Sequence, residues 1–188
     1  VRIDMNGYTK MFMAANANEL EVFLNQYFYL ANEIINRYGG KVYQYLGDEI
    51  IYMFDGEREE ELARRAYSSL QGLFAQLSAI GLNGESTLNK GSFSLGSVKF
   101  LKLDKGYFFL GEPLIESVRI LSLIEEKDRN TLCFQGNLSD SLAVLAKPSY
   151  SKTLKLKGYS EESEIQFSNQ FSSLKEVGDE RVLEAMTY

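Results

Sequence analysis

The sequence has no histidine, only one cysteine, and no long apolar run. Without histidine the chain cannot use Ser-His or Cys-His nucleophilic pairs, an imidazole general base or histidine-bound zinc. The single cysteine, Cys133, excludes an internal disulfide framework and a thiolate metal cluster, and is interpreted as a small core hydrophobe in a reducing compartment. No apolar run reaches the roughly 18 residues that a membrane-spanning helix needs, and no signal-peptide pattern is visible.

The residues that are present are typical of a globular protein. The chain has 188 residues, of which 45% are hydrophobic and 24% are charged, enough for one domain with a sizeable core. Its net charge of −6 argues against nucleic-acid binding through a basic surface, but one lysine or metal ion would suffice for a nucleotide. The chain opens at Val1 inside an apolar strand pattern. We therefore expect a fragment of a longer, cytoplasmic polypeptide, or the cytoplasmic part of a membrane-linked or multidomain protein.

The segment GGKVYQYLGDEIIYMF, residues 39–54, predicts a β-hairpin. Two runs of β-branched and aromatic residues, 42–46 and 50–54, flank Gly47, Asp48 and Glu49. Gly47 would supply the positive φ of a II′-type turn. Asp48 would then stand at the tip, where a carboxylate is either a metal ligand or an ordinary turn residue. Asp4 lies at the carboxyl end of a first strand over residues 1–5, and it too is either a metal ligand or an ordinary loop residue.

Apolar periodicity predicts a long helix from Glu19 to Tyr38, capped by Asn18 and stopped by Gly39. Its buried face is predicted to hold Leu20, Phe23, Leu24, Tyr27, Phe28, Ala31, Ile34, Ile35 and Tyr38. A second helix follows the charged segment 55–65, with a buried face made of Leu62, Ala66, Leu70, Leu73, Phe74, Leu77 and Ile80. One or two helical turns are expected at 8–15.

The second half of the chain predicts smaller elements. A polar loop over 81–90 precedes strands at 92–103 and 107–110. A third helix begins at Pro113 and ends near Glu126, with an inward face of Leu114, Val118, Leu121 and Ile124. A strand at 131–134, a helix at 138–146 and strands at 153–156 and 165–167 complete a domain over 1–168. The tail 169–188 is expected to be helical around 172–186. The order of elements predicts an α+β fold with a ferredoxin-like βαββαβ core, in which helices cover a mostly antiparallel sheet.

Four segments, in this order and spacing, resemble the class III adenylate/guanylate cyclase catalytic domain. They are IDMNGYT, then NRYGGKVYQYLGDEIIYMF after a helix, then FFLGEPLIESVRILSLI, and finally LKLKGYSEESEIQF. The diguanylate cyclase domain has a similar core, but its double glycine with phenylalanine and its Asn-Asp signature are missing here. The resemblance to class III cyclases extends to about Phe167.

The resemblance implies a metal site and a reaction. In this family the ribose 3′-oxygen attacks the α-phosphorus of the same triphosphate and pyrophosphate leaves, assisted by two Mg²⁺ or Mn²⁺ ions per site. By resemblance the metal ligands are Asp4, Asp48 and the Met5 carbonyl, and residues 6–8 (Asn6, Gly7 and Tyr8) lie near the triphosphate. Arg119 matches the arginine that meets the transition-state phosphate. The phosphate-binding lysine is matched by Lys157, with Lys155 as its competitor.

The base-binding and ribose-binding half departs from the family pattern. Gln44 stands where the family has a base-reading lysine or glutamate, and it carries no charge. Phe108 replaces the second base-reading residue, and Ile115 replaces the asparagine that orients the ribose. The metal half therefore matches the family pattern, whereas the purine half does not.

The resemblance implies a dimer, because the family assembles each site from two subunits. We expect a homodimer, or a heterodimer with another cyclase domain, that converts a purine nucleoside triphosphate, ATP rather than GTP, to a 3′,5′-cyclic nucleotide. The alternative is a catalytically inactive regulatory or dimerisation module that binds nucleotide or metal. No nucleic acid and no membrane contact are expected for this segment.

Overall fold

The computed structural model describes residues 1–82, 85–104, 106–125, 128, 130–143, 145–146 and 148–169. The helical tail expected over 172–186 lies outside these residues. Among the described residues, no helix is both long enough and apolar enough to cross a membrane.

Eleven strands occur among the described residues. They are β1 (Arg2–Met5), β2 (Lys41–Leu46), β3 (Glu49–Met53), β4 (Gly81–Leu82), β5 (Glu85–Ser86), β6 (Asn89–Ser92), β7 (Lys99–Leu103), β8 (Gly106–Leu110), β9 (Thr131–Gln135), β10 (Tyr150–Lys155) and β11 (Glu162–Ser168). Seven of them form one sheet in the order β10-β11-β9-β6-β1-β3-β2. Only the β6–β9 pair is parallel. The expected α+β fold with a mostly antiparallel sheet is confirmed.

Five α-helices accompany these strands within the described ranges. They are α1 (Tyr8–Ala14), α2 (Ala17–Arg37), α3 (Glu59–Leu77), α4 (Glu112–Leu121) and α5 (Ser139–Leu142), the last preceded by a 3₁₀ turn at Gly136–Leu138. Helix α2 begins two residues earlier than expected. The predicted Asn18 cap is wrong: the side chain of Asn16 accepts hydrogen bonds from the backbone amides of Asn18 and Glu19. Asn16 lies two residues before Asn18 and binds the backbone amides that have no partner within the first turn of the helix. The helix therefore begins two residues earlier than predicted.

Helices α2 and α3 cover one face of the sheet. The buried side chains of α2 are Leu20, Phe23, Tyr27, Ala31, Ile34 and Ile35, all from the predicted stripe. They pack with Ile3 and Met5 of β1 and with Phe93 and Phe134 in one continuous cluster. Both predicted helix faces thus contribute to the larger core, except for Leu62 of α3, which is half-buried and lies outside this cluster. Side-chain burial supplies most of the favourable free energy of such a core.

Helix α4 covers the opposite face. Its buried residues are Glu116, Ser117, Ile120 and Leu121, whereas Val118 is exposed, so the predicted inward face was wrong at Val118. The helix ends at Leu121, although Ile124 beyond it is buried in the same cluster as Ile120 and Leu121. The spacing of apolar residues predicted the wrong face because two polar residues, Glu116 and Ser117, occupy buried positions.

The strand expected over 92–103 is two strands. Strand β6 ends at Ser92 in the central sheet, and β7 begins at Lys99 in a separate two-stranded hairpin with β8. Gly96, with φ of 144°, lies in the loop between them. The hairpin contacts β2 through the rings of Tyr43 and Phe109, whose centroids are 4.6 Å apart. We call β7 and β8 the arm.

Gly91 of β6 lies where helix α3 approaches the sheet closely. A Cβ atom at this position would stand 2.7 Å from Leu70 Cδ2 and 3.1 Å from Phe74 Cζ. The first distance is shorter than side-chain packing allows, so any larger residue here would have to displace the side chain of Leu70.

A buried carboxyl group, that of Glu116, joins α4 to the sheet. It accepts hydrogen bonds from the hydroxyl of Ser94 and the side-chain amide of Gln135. Burial, and secondarily the charge of Glu112, raises the pKa of Glu116, while the Ser94 hydrogen bond lowers it. Because the folded protein favours the protonated form relative to the unfolded chain, this group stabilises the fold less as the pH rises through its folded-state pKa.

We expect Glu116→Gln to remove part of the pH dependence of stability. Gln keeps the size and hydrogen-bonding capacity of the side chain but cannot ionise, so the variant should gain stability relative to the wild type at pH 8 and not at pH 4. Urea unfolding at both pH values measures the difference. An exposed carboxylate in the loop before α3, changed in Glu57→Gln, serves as the control. Equal differences at the two pH values would contradict the prediction.

Candidate active site

The sheet brings Asp4 and Asp48 together. Strands β1 and β3 pair antiparallel, with Ile3 opposite Ile50, so the β2–β3 turn lies beside the carboxyl end of β1. The turn consists of Gly47 and Asp48 because Leu46 already pairs with Glu49, and Gly47 has the positive φ expected, 63°. The backbone N–H of Met5 donates to Asp48 Oδ2 over 3.2 Å. A hydrogen bond from β1 therefore holds the tip carboxylate beside Asp4.

The two carboxyl groups interact directly. The pKa of Asp48 is raised to about 7, first by burial, then by the charge of Asp4 and by a hydrogen bond with the Asp4 carboxyl. Hydrogen bonds from backbone amides, that of Met5 among them, oppose this rise. Two carboxyl groups this close cannot both ionise cheaply unless a cation or a shared proton lies between them. This arrangement suits a hard divalent cation.

Lys90 is a third member of this group, and it was not predicted from the sequence. Strand β6 pairs with β1 so that Lys90 lies directly opposite Asp4. Its Nζ atom lies 2.9 Å from Asp4 Oδ2. Lys90 falls in a segment expected to be a polar loop, and only the pairing of β1 with β6 reveals its position.

The residues after β1 lie around the same point. Gly7 adopts the left-handed conformation, with φ of 75°, and begins helix α1. Tyr8 is the first residue of α1, and its pKa is raised by burial and then by the charge of Asp48. The Asn6 side chain, in contrast, donates to the backbone carbonyl of Asp128, so it supports the neighbouring loop.

A buried polar pair lies behind the carboxylates. The Tyr27 hydroxyl donates to Asn89 Oδ1 over 2.7 Å, and Tyr27 lies close enough to Asp48 and Asp4 for their charges to raise its pKa further, burial being the larger cause. Asn89 Nδ2 is buried and has no hydrogen-bond partner among the described residues. The periodicity of α2 assigned Tyr27 to the core, and nothing in that pattern distinguished it from its apolar neighbours.

Arg119 belongs to a different group of residues, near Tyr159, and Lys157 lies two residues before Tyr159 in the sequence. Burial, followed by the charges of Glu116 and Glu112, raises the pKa of Tyr159, whereas Arg119 lowers it. These side chains therefore surround one phenol near the β10–β11 connection. The buried Nε of Arg119 has no partner among the described residues, and Lys157 is exposed. Across the described part of the chain, no ion pair or hydrogen bond links Arg119 or Lys157 to Asp4 or Asp48.

The three positions that depart from the family pattern all lie at the surface. Gln44 is exposed on β2, Phe108 is 45% exposed on the arm, and Ile115 is 54% exposed on α4. Leu110 and Val118 extend the apolar surface around them. We call Phe108, Leu110, Ile115 and Val118 the apolar patch.

The donor set offers few ligands for a metal ion. Among the described residues, no group of three or more acidic, cysteine or histidine side chains could hold a metal. The available ligands are the carboxylates of Asp4 and Asp48, with the backbone of Met5 beside them. Two carboxylates suit Mg²⁺ or Mn²⁺, which usually retain several waters or substrate oxygens.

Comparison with known proteins gives matches by structure only. No family profile and no curated protein matches the sequence. Among solved structures, the adenylyl cyclase CyaB from P. aeruginosa matches with a TM-score of 0.70 and 19% identity, covering 89% of this chain and 90% of that one. The guanylyl cyclase Cya2 matches with a TM-score of 0.67 and 19% identity, covering 89% and 88%.

A third solved structure is the guanylate cyclase domain of RhGC from Catenaria anguillulae in complex with GTP. It has a TM-score of 0.68 and 14% identity, and the match covers 89% of this chain and 92% of that one. The described part of the chain therefore has the fold of the adenylyl and guanylyl cyclase catalytic domains.

Proposed function

We propose that this chain is a class III nucleotidyl cyclase domain that converts a purine nucleoside triphosphate to a 3′,5′-cyclic nucleotide and pyrophosphate. The observation that carries the proposal is the placement of Asp48, 44 positions after Asp4, against the end of β1, where the Met5 amide donates to its Oδ2 atom and the charge of Asp4 helps to raise its pKa. The fold supports it, because proteins with the same fold are adenylyl and guanylyl cyclases. We propose ATP rather than GTP as the substrate, and Gln44, which has neither the lysine nor the glutamate of the family at that position, would hydrogen-bond the base without a charge.

The carboxylates would hold Mg²⁺ or Mn²⁺, two ions per site by the resemblance. Bound ions supply charge neutralisation at the phosphates and activation of the 3′-oxygen. The chain's own contribution is to keep Asp48 in place through the Met5 amide and to withdraw the carboxylates partly from water. The Gly7 turn and Tyr8 at the start of α1 are proposed to lie along the triphosphate, and Arg119 and Lys157 to bind it from the other half-site.

Because Arg119 lies near Tyr159, and neither Arg119 nor Lys157 has a described contact with Asp4 or Asp48, we propose that a complete site needs two chains. The apolar patch and the arm present exposed apolar side chains that a second cyclase domain would cover. The partner is either a second copy or another cyclase domain. Since Phe108 and Ile115 cannot hydrogen-bond a base or a ribose, a partner with polar residues at those positions would complete the site better.

Exposed Phe108 and Ile115 also favour the second candidate function, an inactive regulatory module that binds nucleotide or metal. These apolar side chains cannot hydrogen-bond the purine or the ribose, but they could still take part in dimerisation. Turnover separates the two candidates.

We expect cyclic nucleotide from ATP, and less from GTP, when the protein is incubated with Mn²⁺. Asp48→Asn should lower the rate about a hundredfold or more, because even outer-shell partners of a metal contribute about 10–100-fold. The product is measured by chromatography. Asp140→Asn, an exposed carboxylate on α5, is the control and should retain the wild-type rate. Nucleotide binding without product would favour the regulatory module.

Metal binding should stabilise the fold, and more so at high pH. At a Mn²⁺ concentration about 100 times Kd we expect Tm to rise by about 5–10 °C. Because the pKa of Asp48 is about 7 in the metal-free protein, a proton competes with the ion at pH 6 and much less at pH 8. Scanning calorimetry at both pH values tests this, and the increase should be absent in Asp48→Asn. An equal increase in that variant would place the metal elsewhere.

Dimerisation should depend on the apolar patch. Ile115→Glu puts a charge on a side chain that is 54% exposed, so the monomer should fold normally. The dissociation constant of the dimer should rise about tenfold or more, because the charge would be buried at the interface. Sedimentation velocity measures the dissociation constant. Val22→Glu, at a 58% exposed position on α2 beyond the opposite face of the sheet, is the matched control. A larger effect of Val22→Glu would assign the interface to α2.

A further inference from the structure

Lys90 and Asp4 form an ion pair that is largely withdrawn from water. The register of β6 against β1 sets the two residues opposite each other, so their side chains leave the same face of the sheet. Their side chains are 26% and 22% exposed, and Lys90 Nζ lies 2.9 Å from Asp4 Oδ2. One of the two carboxylates of the candidate site thus already has a cation partner supplied by the chain itself.

The two carboxylates are therefore unequal. Asp4 has the ammonium of Lys90 beside it, whereas Asp48 has the Met5 amide and the Asp4 carboxyl, and no ion pair of Asp48 occurs within the described ranges. An incoming divalent ion would meet a fixed positive charge next to one of its two ligands. Like charges a few ångströms apart repel strongly when they are partly shielded from solvent.

The described neighbours of Lys90 on β9 carry no charge that could replace Asp4. In the parallel pair with β9, Lys90 lies opposite Thr131, and its charge acts on the buried thiol of Cys133. Both are uncharged groups. A metal ion that binds Asp4 would have to break the ion pair between Asp4 and Lys90. The loss of this pair costs free energy, because the ammonium gains no new charged partner.

We propose that Lys90 is a tethered cation that competes with the divalent metal for Asp4 and thereby sets the metal affinity of the site. This inference rests on the proposed metal site. In the metal-free protein the ammonium offsets part of the negative charge that Asp4 places beside Asp48. When the metal binds, the flexible lysine side chain leaves Asp4, and the affinity is lower than the two carboxylates alone would give.

The test is a Mn²⁺ titration of the full chain by isothermal calorimetry, without nucleotide. Lys90→Met keeps the length of the apolar stem but removes the charge, so Kd for Mn²⁺ should fall about tenfold or more. Lys90→Arg keeps the charge and should show no such gain. Lys152→Met is the matched control, since it makes the same change in net charge on β10, four strands away from β1, and should alter Kd less than about twofold.

The outcomes separate this inference from the proposed function. If the wild type binds Mn²⁺ and Lys90→Met binds it equally or more weakly, Lys90 only positions Asp4, and the competition is wrong while the metal site stands. If neither protein binds Mn²⁺ although both are folded by circular dichroism, the metal site and the proposed function fail together.

A second measurement covers the case in which Lys90→Met does not fold. In the wild type, reductive methylation followed by peptide mass spectrometry reports how accessible the Lys90 amine is. Adding Mg²⁺ should increase methylation of Lys90 severalfold and leave Lys152 unchanged. Methylation of Lys90 that stays constant at saturating Mg²⁺ would overturn the proposal.

Discussion

The hydrogen bond from the Met5 amide to Asp48 is the contact on which the candidate site depends. It links the last residue of the first strand to the tip of a two-residue turn more than 40 positions later. A carboxylate at the tip of a hairpin would otherwise turn toward water. The hydrogen bond from β1 keeps the Asp48 carboxylate next to Asp4, although two like charges repel each other. A cation bound between the two carboxylates would relieve this repulsion, so the position suits a cation.

The sheet divides the molecule into two parts with different roles. One face carries α2 and α3 and most of the apolar core, while the other carries α4 with its polar contacts, Arg2 to Ser117 and Glu116 to Gln135. Asp4 alternates along β1 with the buried residues Ile3 and Met5. The candidate site therefore lies on the less apolar face, and the packing of the other face keeps the strands in register.

Local patterns in the sequence predicted much of the fold. The aromatic stripe of α2 and the hairpin around Gly47 follow from the spacing of apolar residues and from one glycine with positive φ, and both are confirmed. The α4 face was mispredicted at Val118 because burial there is decided by partners from distant strands. Asp4 and Asp48 came from the resemblance to known cyclases, and Lys90 was missed because strand register is set by tertiary packing.

The narrow space at Gly91 has a consequence for the residue beside it. Helix α3 lies so close to β6 that a Cβ atom at this position would stand 2.7 Å from Leu70 Cδ2. If β6 slipped by one residue, every side chain would change faces: a larger one would collide with Leu70, and the lysine would point into the hydrocarbon interior. Steric exclusion on one side of the sheet thus fixes where a charge stands on the other.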